Sequence, residues 1–592
     1  MSGFNAGRGS NNRGNNSGGS RSGQRGGNRS GMNRAGQGRT GANRGQERRT
    51  ESGHDFVSRR NTQSSQSNRG GRRRTEDTSR RNAKGHERNR KKSHERDFSA
   101  AAPSARVREA DAARLVAFEV MQAVATEDSY ANLVMPKSIR AHRLDHRDAG
   151  FATELTYGTL RNQGYYDSII KHCVDRPLEK IDQKILTALR LGAHQLVAMR
   201  VPSHAALNQT VGLARGVIGA GPASFINAVL RRVSERSAEE WRELIESEAT
   251  DDLQKMALTK SHPVWVVRAF RQALAVHGHS PQEIDELLDA DNLAPIVNLV
   301  ELPGLGSLDE ARDKGATDGE LVAGSALYSS GDLGRLESVR EGTVRAQDVG
   351  SQLVARALAE APLEGSDKKW LDLCAGPGGK AALLGALGAQ RGAQLVANEA
   401  SAHRAKLVSA SLRPLPQGSY TVVTGDGRAI EKTVAQSKNL PAGMEENPRF
   451  DRVMVDVPCS GLGALRRRPE ARWRKTPRDI ADLLPLQKEL FDAAASVTRS
   501  GGLIAYVTCS PHMAETQNIV NDILRDGAVE LLDSGAAVRQ VALSDESGTS
   551  VLSGEKDPSF APNDKHPEQT TAQLWPHVHG TDAMFFALFR KK

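Results

Sequence analysis

The chain has 592 residues, too many for one hydrophobic core at ~100–200 residues per domain, so several folded units are expected. Its net charge of +10 is unevenly spread: residues 1–100 hold 24 Lys and Arg against 8 Asp and Glu, which leaves 57 against 63 in the other 492. No apolar run approaches the ~18–20 residues of a membrane helix, the start MSGFNAGRGS lacks a signal-peptide stretch, and the four cysteines show no metal-ligand spacing. The composition therefore predicts a soluble cytoplasmic protein, and excludes a membrane protein, a disulfide-stapled domain and a zinc array.

Residues 1–104 form a low-complexity tail; its first fifty residues contain 14 Gly and 10 Arg. Such a segment cannot bury enough apolar surface to offset the entropy of ordering, so a disordered tail is predicted. Its Arg/Gly/Asn texture suits loose, salt-sensitive binding to a phosphate backbone.

From Val107 the pattern changes. Val107, Ala110, Ala113, Ala117, Val120 and Val124 recur at three- and four-residue steps, the stripe of an amphipathic helix. Ile181 to Met199 and Leu207 to Ile218 repeat it, so residues 105–235 read as an all-α domain. Residues 236–345 read as a small α+β connector. There Ser280-Pro281-Gln282-Glu283 is a capping box with Pro at the first helical position, and Ile296 to Val300 is a strand.

Over 346–592 the grammar is strand, turn, helix, repeated, which predicts a doubly wound, mostly parallel sheet of the Rossmann-like kind. Predicted strands end at Asp372-Leu373, Asn398-Glu399, Gly425-Asp426, Asp456-Val457-Pro458-Cys459 and Thr508-Cys509-Ser510. Ligands bind beyond the carboxyl ends of such strands, and these ends are where the polar and sulfur-bearing residues cluster.

The turn Ala375-Gly376-Pro377-Gly378-Gly379-Lys380 lets backbone amides approach a ligand. Cys374 and Ala381 stand where a phosphate-binding P-loop needs Gly and Ser or Thr, and the spacing is not that of a dinucleotide site. Glu399 at the next strand end can hold two ribose hydroxyls, and Asp426 at the third can take an adenine amino group. An adenosine cofactor without a triphosphate fits this set, and S-adenosylmethionine is such a cofactor. Asp456, Cys459 and Cys509 indicate the acceptor. Carbon 5 of a pyrimidine is not nucleophilic until a thiolate adds at carbon 6, and a group that protonates or hydrogen-bonds N3 assists that addition. Either thiol could attack on these grounds. Cys173 and Cys374 read as small buried hydrophobes.

At these residues the chain resembles the RNA cytosine-5 methyltransferases of the Sun (Fmu) type. Leu371 to Lys380 is similar to the family's cofactor motif, and Asp456-Val457-Pro458-Cys459-Ser460-Gly461 and Thr508-Cys509-Ser510 to its two cysteine motifs. The resemblance implies Cys509 as nucleophile, Cys459 as the residue assisting product release, and Asp456 as a catalytic and cofactor residue. It also implies cofactor contacts from Cys374, Ala375, Gly376, Pro377, Gly378, Gly379 and Lys380, and no metal. Glu399 stands where many members carry Asp, and the stretch between Asp426 and Phe450 is expected to be a surface insertion. Upstream, Glu154 to Arg161 and Asn227 to Arg232 resemble a NusB-like RNA-binding domain, and Asp582 to Leu588 resembles the family's closing strand. That pairing implies an enzyme acting on 16S ribosomal RNA, and a monomer is expected. Transfer RNA or 23S ribosomal RNA as substrate, and a non-catalytic RNA-binding assembly factor, are the alternatives.

Arg466 to Arg474 interleaves basic residues with Trp473, the texture of an RNA-contact loop. His262 reads as structural.

Overall fold

The computed structural model describes residues 111–592 apart from 128, 330, 438–439, 441–448, 553–557 and 561–569. The expected disordered tail, Val107, Ala110 and part of the expected insertion after Asp426 lie outside these residues.

Among the described residues, seven α-helices build the first domain: α1 Ala112–Thr126, α2 Ala131–His142, α3 His146–Arg161, α4 Gln163–Cys173, α5 Gln183–Val197, α6 Ser203–Val217 and α7 Ala220–Val233. Local caps set several of their starts. The Asp111 carboxylate accepts the Arg114 amide at 2.8 Å, Asp145 accepts Asp148 at 2.8 Å, and Asp182 accepts Lys184 at 2.9 Å. The Asp182 cap explains why α5 begins after Ile181, where the apolar stripe had already started. The stripes meet in one core through Val116, Val120, Leu155, Ile169, Leu189 and Leu230, all fully buried.

The connector carries two capping boxes, Ser237–Glu240 and Ser280–Glu283, the second opening the helix Ile284–Asn292. It then forms an antiparallel sheet in the order β2-β3-β1-β4: β1 Val297–Glu301, β2 Thr317–Asp318, β3 Ser325–Tyr328 and β4 Val344–Ala346.

The last domain is built on β5 Lys369–Asp372, β6 Gln394–Glu399, β7 Tyr420–Thr424, β8 Phe450–Asp456, β9 Thr498–Thr508, β10 Val529–Leu531, β11 Ala572–Gln573 and β12 Phe585–Lys591. The sheet order is β10-β12-β9-β8-β5-β6-β7, with β11 on β12. The five strands from β9 to β7 are parallel, and β12 runs antiparallel to β9. This is the doubly wound sheet expected from the sequence, with an antiparallel edge made by the closing strand. Two apolar layers sandwich it: Ala381, Leu384, Leu395 and Met454 on one face, and Val396, Val453, Phe491 and Tyr506 on the other.

Candidate active site

Parallel register decides which side chains meet. In the β8–β9 pair Asp456 lies opposite Val507, and the Val457 amide donates to the Val507 carbonyl at 3.1 Å. Cys459, three residues past Asp456, and Cys509, two past Val507, therefore leave the sheet side by side. Their sulfurs are 3.4 Å apart, and both are partly exposed on the wall of one cleft. The Gly463 amide holds the Cys509 carbonyl at 2.8 Å.

The cleft, of about 490 Å³, runs along the carboxyl ends of β5, β6 and β8 and brings the sequence-predicted residues together. Cys374, Ala375, Gly376, Pro377, Gly379 and Lys380 line one side, Glu399 and Asp426 the end, and Asp456, Cys459 and Cys509 the other side. Gly378 does not line it but forms the turn behind. Its φ is +110°, and a Cβ there would sit 2.5 Å from the Ser411 Cβ. A Cβ on Gly376 would lie 2.0 Å from Glu399 Oε2 and 2.9 Å from Arg404 Nη2. The turn is glycine-built because Glu399 stands directly against it. Glu399 is 4 % exposed; its Oε1 accepts the Ser401 amide at 3.0 Å, and its Oε2 lies 3.4 Å from Arg404.

Two assigned residues are placed differently from their sequence reading. Lys380 points across the cleft to Asp456, donating to Oδ2 at 2.9 Å. Asp426 is exposed, and its carboxylate is taken up by the Arg428 guanidinium and amide, so an adenine amino group there would have to share it.

The charges are coupled. Burial works against the Lys380 ammonium, but Asp456, Cys509 and Asp372 outweigh it and hold its pKa above the ordinary value. Burial, then the Asp456 charge, pushes Asp372 up to about 7, against Lys380. The hydrogen bond from Cys459 is the leading influence that holds the Cys509 thiol below its usual range; burial opposes it and Lys380 adds to it. Cys459 stands well above that range, first through the same bond and then through burial. Of the two sulfurs, Cys509 is therefore the readier to give up its proton and Cys459 the readier to keep it.

Sequence reasoning missed two groups that face the cleft. Both Asp372 oxygens are buried without a completed hydrogen bond; the Cys374 amide stands close by. Its strand-end position was the available signal. Both side-chain polar atoms of Gln347 are also buried and unpartnered, and nothing in its local sequence marks it. Unpartnered buried polar atoms, a glycine cradle and a strand-end acid are what a polar cofactor such as S-adenosylmethionine requires.

The Arg466–Arg474 segment is not a free RNA loop, and this corrects the reading from sequence. Arg466 donates to the Gly580 carbonyl at 2.7 Å. Arg472, fully buried, donates to the Ser261 carbonyl at 3.1 Å and to Asn292 Oδ1 at 2.8 Å. Arg474 holds the Val124 and Ser129 carbonyls, Glu470 accepts the Ala131 amide at 2.9 Å, and the Trp473 ring fills the space beside Gly164. The segment thus clamps the helical domain and the connector onto the catalytic domain. Arg467, Arg468 and Lys475 still line the cleft.

A Rossmann-like sheet with a glycine cradle, a strand-end acid and paired thiols over one cleft defines the catalytic domain of a methyltransferase. Residues 357–590 match the family model described as 16S rRNA methyltransferase RsmB/F, and residues 111–235 match the NusB family. A Mycobacterium tuberculosis protein named as a methyltransferase is 43 % identical over 82 % of this chain and 98 % of its own. A Synechocystis protein named as a ribosomal RNA small subunit methyltransferase B is 30 % identical over 70 % of this chain and 89 % of its own. The crystal structure of PH0851 has the same fold, with a TM-score of 0.63 at 17 % identity, covering 83 % of this chain and 99 % of that one. The chain belongs to the RsmB/F family of methyltransferases, and its methyl donor is S-adenosylmethionine. Among the described residues no helix is long and apolar enough to cross a membrane.

Proposed function

We propose that the enzyme methylates carbon 5 of a cytosine in 16S ribosomal RNA through a covalent bond between Cys509 and carbon 6. The observation that carries this reading is the thiol pair, 3.4 Å apart at neighbouring strand ends, beside the Lys380–Asp456 pair. Addition of the Cys509 thiolate at carbon 6 makes carbon 5 enamine-like, which is the reason this chemistry needs sulfur. Asp456, held through Oδ2 by Lys380, donates a proton from its other oxygen to N3 of the base, and this bond favours the addition. S-adenosylmethionine, when bound, supplies an electrophilic methyl group. The Cys374–Lys380 turn and Glu399 would hold it, and Asp372, Asp426 and Asp456 line the same cleft. Solvent takes the carbon-5 proton, the C–H electron pair restores the 5,6 double bond, and the C6–S pair returns to Cys509, whose departing sulfur accepts a hydrogen bond from the Cys459 thiol.

Residues 346–592 act as the catalytic domain in this reading, 236–345 as the connector, and 105–235 as the NusB-like RNA-binding domain. The Synechocystis relative bears the name of a small-subunit enzyme, which supports the 16S target. Bisulfite sequencing of total RNA with and without the enzyme tests this. A protected cytosine in 16S RNA is the expected result. Protection only in transfer RNA or 23S RNA would move the substrate, and none at all would leave a non-catalytic RNA-binding factor.

A further inference from the structure

Glu515 lies on the short turn Met513–Glu515, six residues past Cys509, and is fully buried. Its Oε1 accepts the Ser460 amide at 2.8 Å and Gln487 Nε2 at 3.1 Å. Its Oε2 accepts the Ser460 hydroxyl at 2.5 Å and the Ser510 hydroxyl at 2.6 Å. Every partner is a donor, the pattern an ionised carboxylate satisfies. The two serines each follow one of the cysteines, and their hydroxyls come within 3.1 Å because they share one oxygen. Gln487 also donates to the Pro458 carbonyl at 3.0 Å, so the same group holds the chain before Cys459 as well as after it. One buried carboxylate thus spans both cysteine loops and the helix Pro477–Val497.

We propose that Glu515 is the positioning residue of the site: its carboxylate ties the two cysteine loops into one unit and keeps Cys459 as the proton donor of the sulfur pair, so that Cys509 carries the charge. This rests on the thiol mechanism proposed above and adds what decides between its two sulfurs. The charges that act on the pair are divided. Glu515 and Asp456 act on Cys459 and favour its thiol form, whereas Lys380 favours the thiolate on Cys509 against Asp456 and Asp582. Glu515 is among the leading charges on Cys459 and holds both residues of its loop, Pro458 through Gln487 and Ser460 directly, which is what a selector requires.

Glu515→Gln separates charge from geometry. The amide oxygen can keep the Ser460 and Gln487 bonds, and the amide nitrogen can donate to the two serine hydroxyls in their place. The test is site-resolved alkylation of the full-length protein by iodoacetamide across pH 6–10, read by peptide mass spectrometry. In the unmodified enzyme Cys509 should react at lower pH than Cys459. In Glu515→Gln the Cys459 profile should move down by about one pH unit, near tenfold more thiolate at a given pH, while calorimetric affinity for S-adenosylmethionine is unchanged. The kcat for RNA methylation should fall with KM for RNA unaltered. The Ser460→Ala/Ser510→Ala variant keeps the charge and loosens two ties, so it should lower kcat and preserve the order in which the sulfurs react. A folded Glu515→Gln with both alkylation profiles unmoved would overturn the proposal, as would loss of the order in the serine variant. Because alkylation needs no RNA, a failure of cytosine-5 methylation in the unmodified enzyme refutes the mechanism separately.

Discussion

Gly376→Ala is expected to remove cofactor binding without unfolding the enzyme. The new methyl group would stand 2.0 Å from Glu399 Oε2, and the Arg404 guanidinium at 2.9 Å blocks escape on that side. Gly376 is not among the glycines with positive φ, so alanine adds no backbone strain there, in contrast to Gly378 at +110°. The carboxylate must therefore swing away and leave the position from which it can take ribose hydroxyls. Losing one charge-assisted hydrogen bond costs about 1.5–3 kcal/mol, which corresponds to roughly 10- to 150-fold weaker S-adenosylmethionine binding. Calorimetry on both variants, with thermal unfolding as control, reads this. Gly376→Ala should weaken binding at nearly unchanged Tm, whereas Gly378→Ala should lower the Tm. A Gly376→Ala enzyme that binds as tightly as the parent would refute both the placement of the ribose at Glu399 and the argument from the cradle.

Further outcomes follow from other parts of the molecule. Cys459→Ala should accumulate a covalent RNA adduct that survives denaturing electrophoresis, and Cys509→Ser should form none; the reverse would exchange their roles. Arg472→Met should destabilise the fold by about 3 kcal/mol in urea unfolding, because the Ser261 and Asp291 carbonyls and the Asn292 side chain would lose their buried donor. Burial raises Asp291 to about 7, so its contribution is full below the unfolded value near 3.8 and is lost as pH rises through 7. Between pH 5 and 8 the parent should lose up to about 3 kcal/mol relative to Asp291→Asn, and parallel stability–pH curves would sink that assignment. Deleting residues 1–100 removes a net charge of +16 and no cleft residue. RNA affinity should then fall with a shallower salt dependence while cofactor affinity holds, and an unchanged salt slope would limit the tail to solubility.

The strand ends, the glycine turn and both cysteine motifs were legible in the sequence because buried parallel strands read as short apolar runs and their ligand-facing ends must break that run with Gly, acid or thiol. The all-α character of the first domain was legible for a similar reason, a helical stripe being a local repeat. Tertiary structure alone decided what each polar side chain touches. Arg472 reads as an RNA ligand in a row of basic residues, yet it is buried on Ser261 and Asn292. A guanidinium satisfies phosphate and carbonyl oxygen alike, so composition cannot tell them apart. Glu515 follows the Thr-Cys motif as an unremarkable acid, and only the return of the Pro-Cys loop from β8 and the packing of the helix Pro477–Val497 complete its four donors. The division between thiol and thiolate is likewise invisible in the sequence, because it depends on a sulfur–sulfur distance set by the β8–β9 register and on charges brought from three separate strand ends. Local patterns specify elements, whereas the protonation of a buried group is a sum over neighbours far apart in the chain.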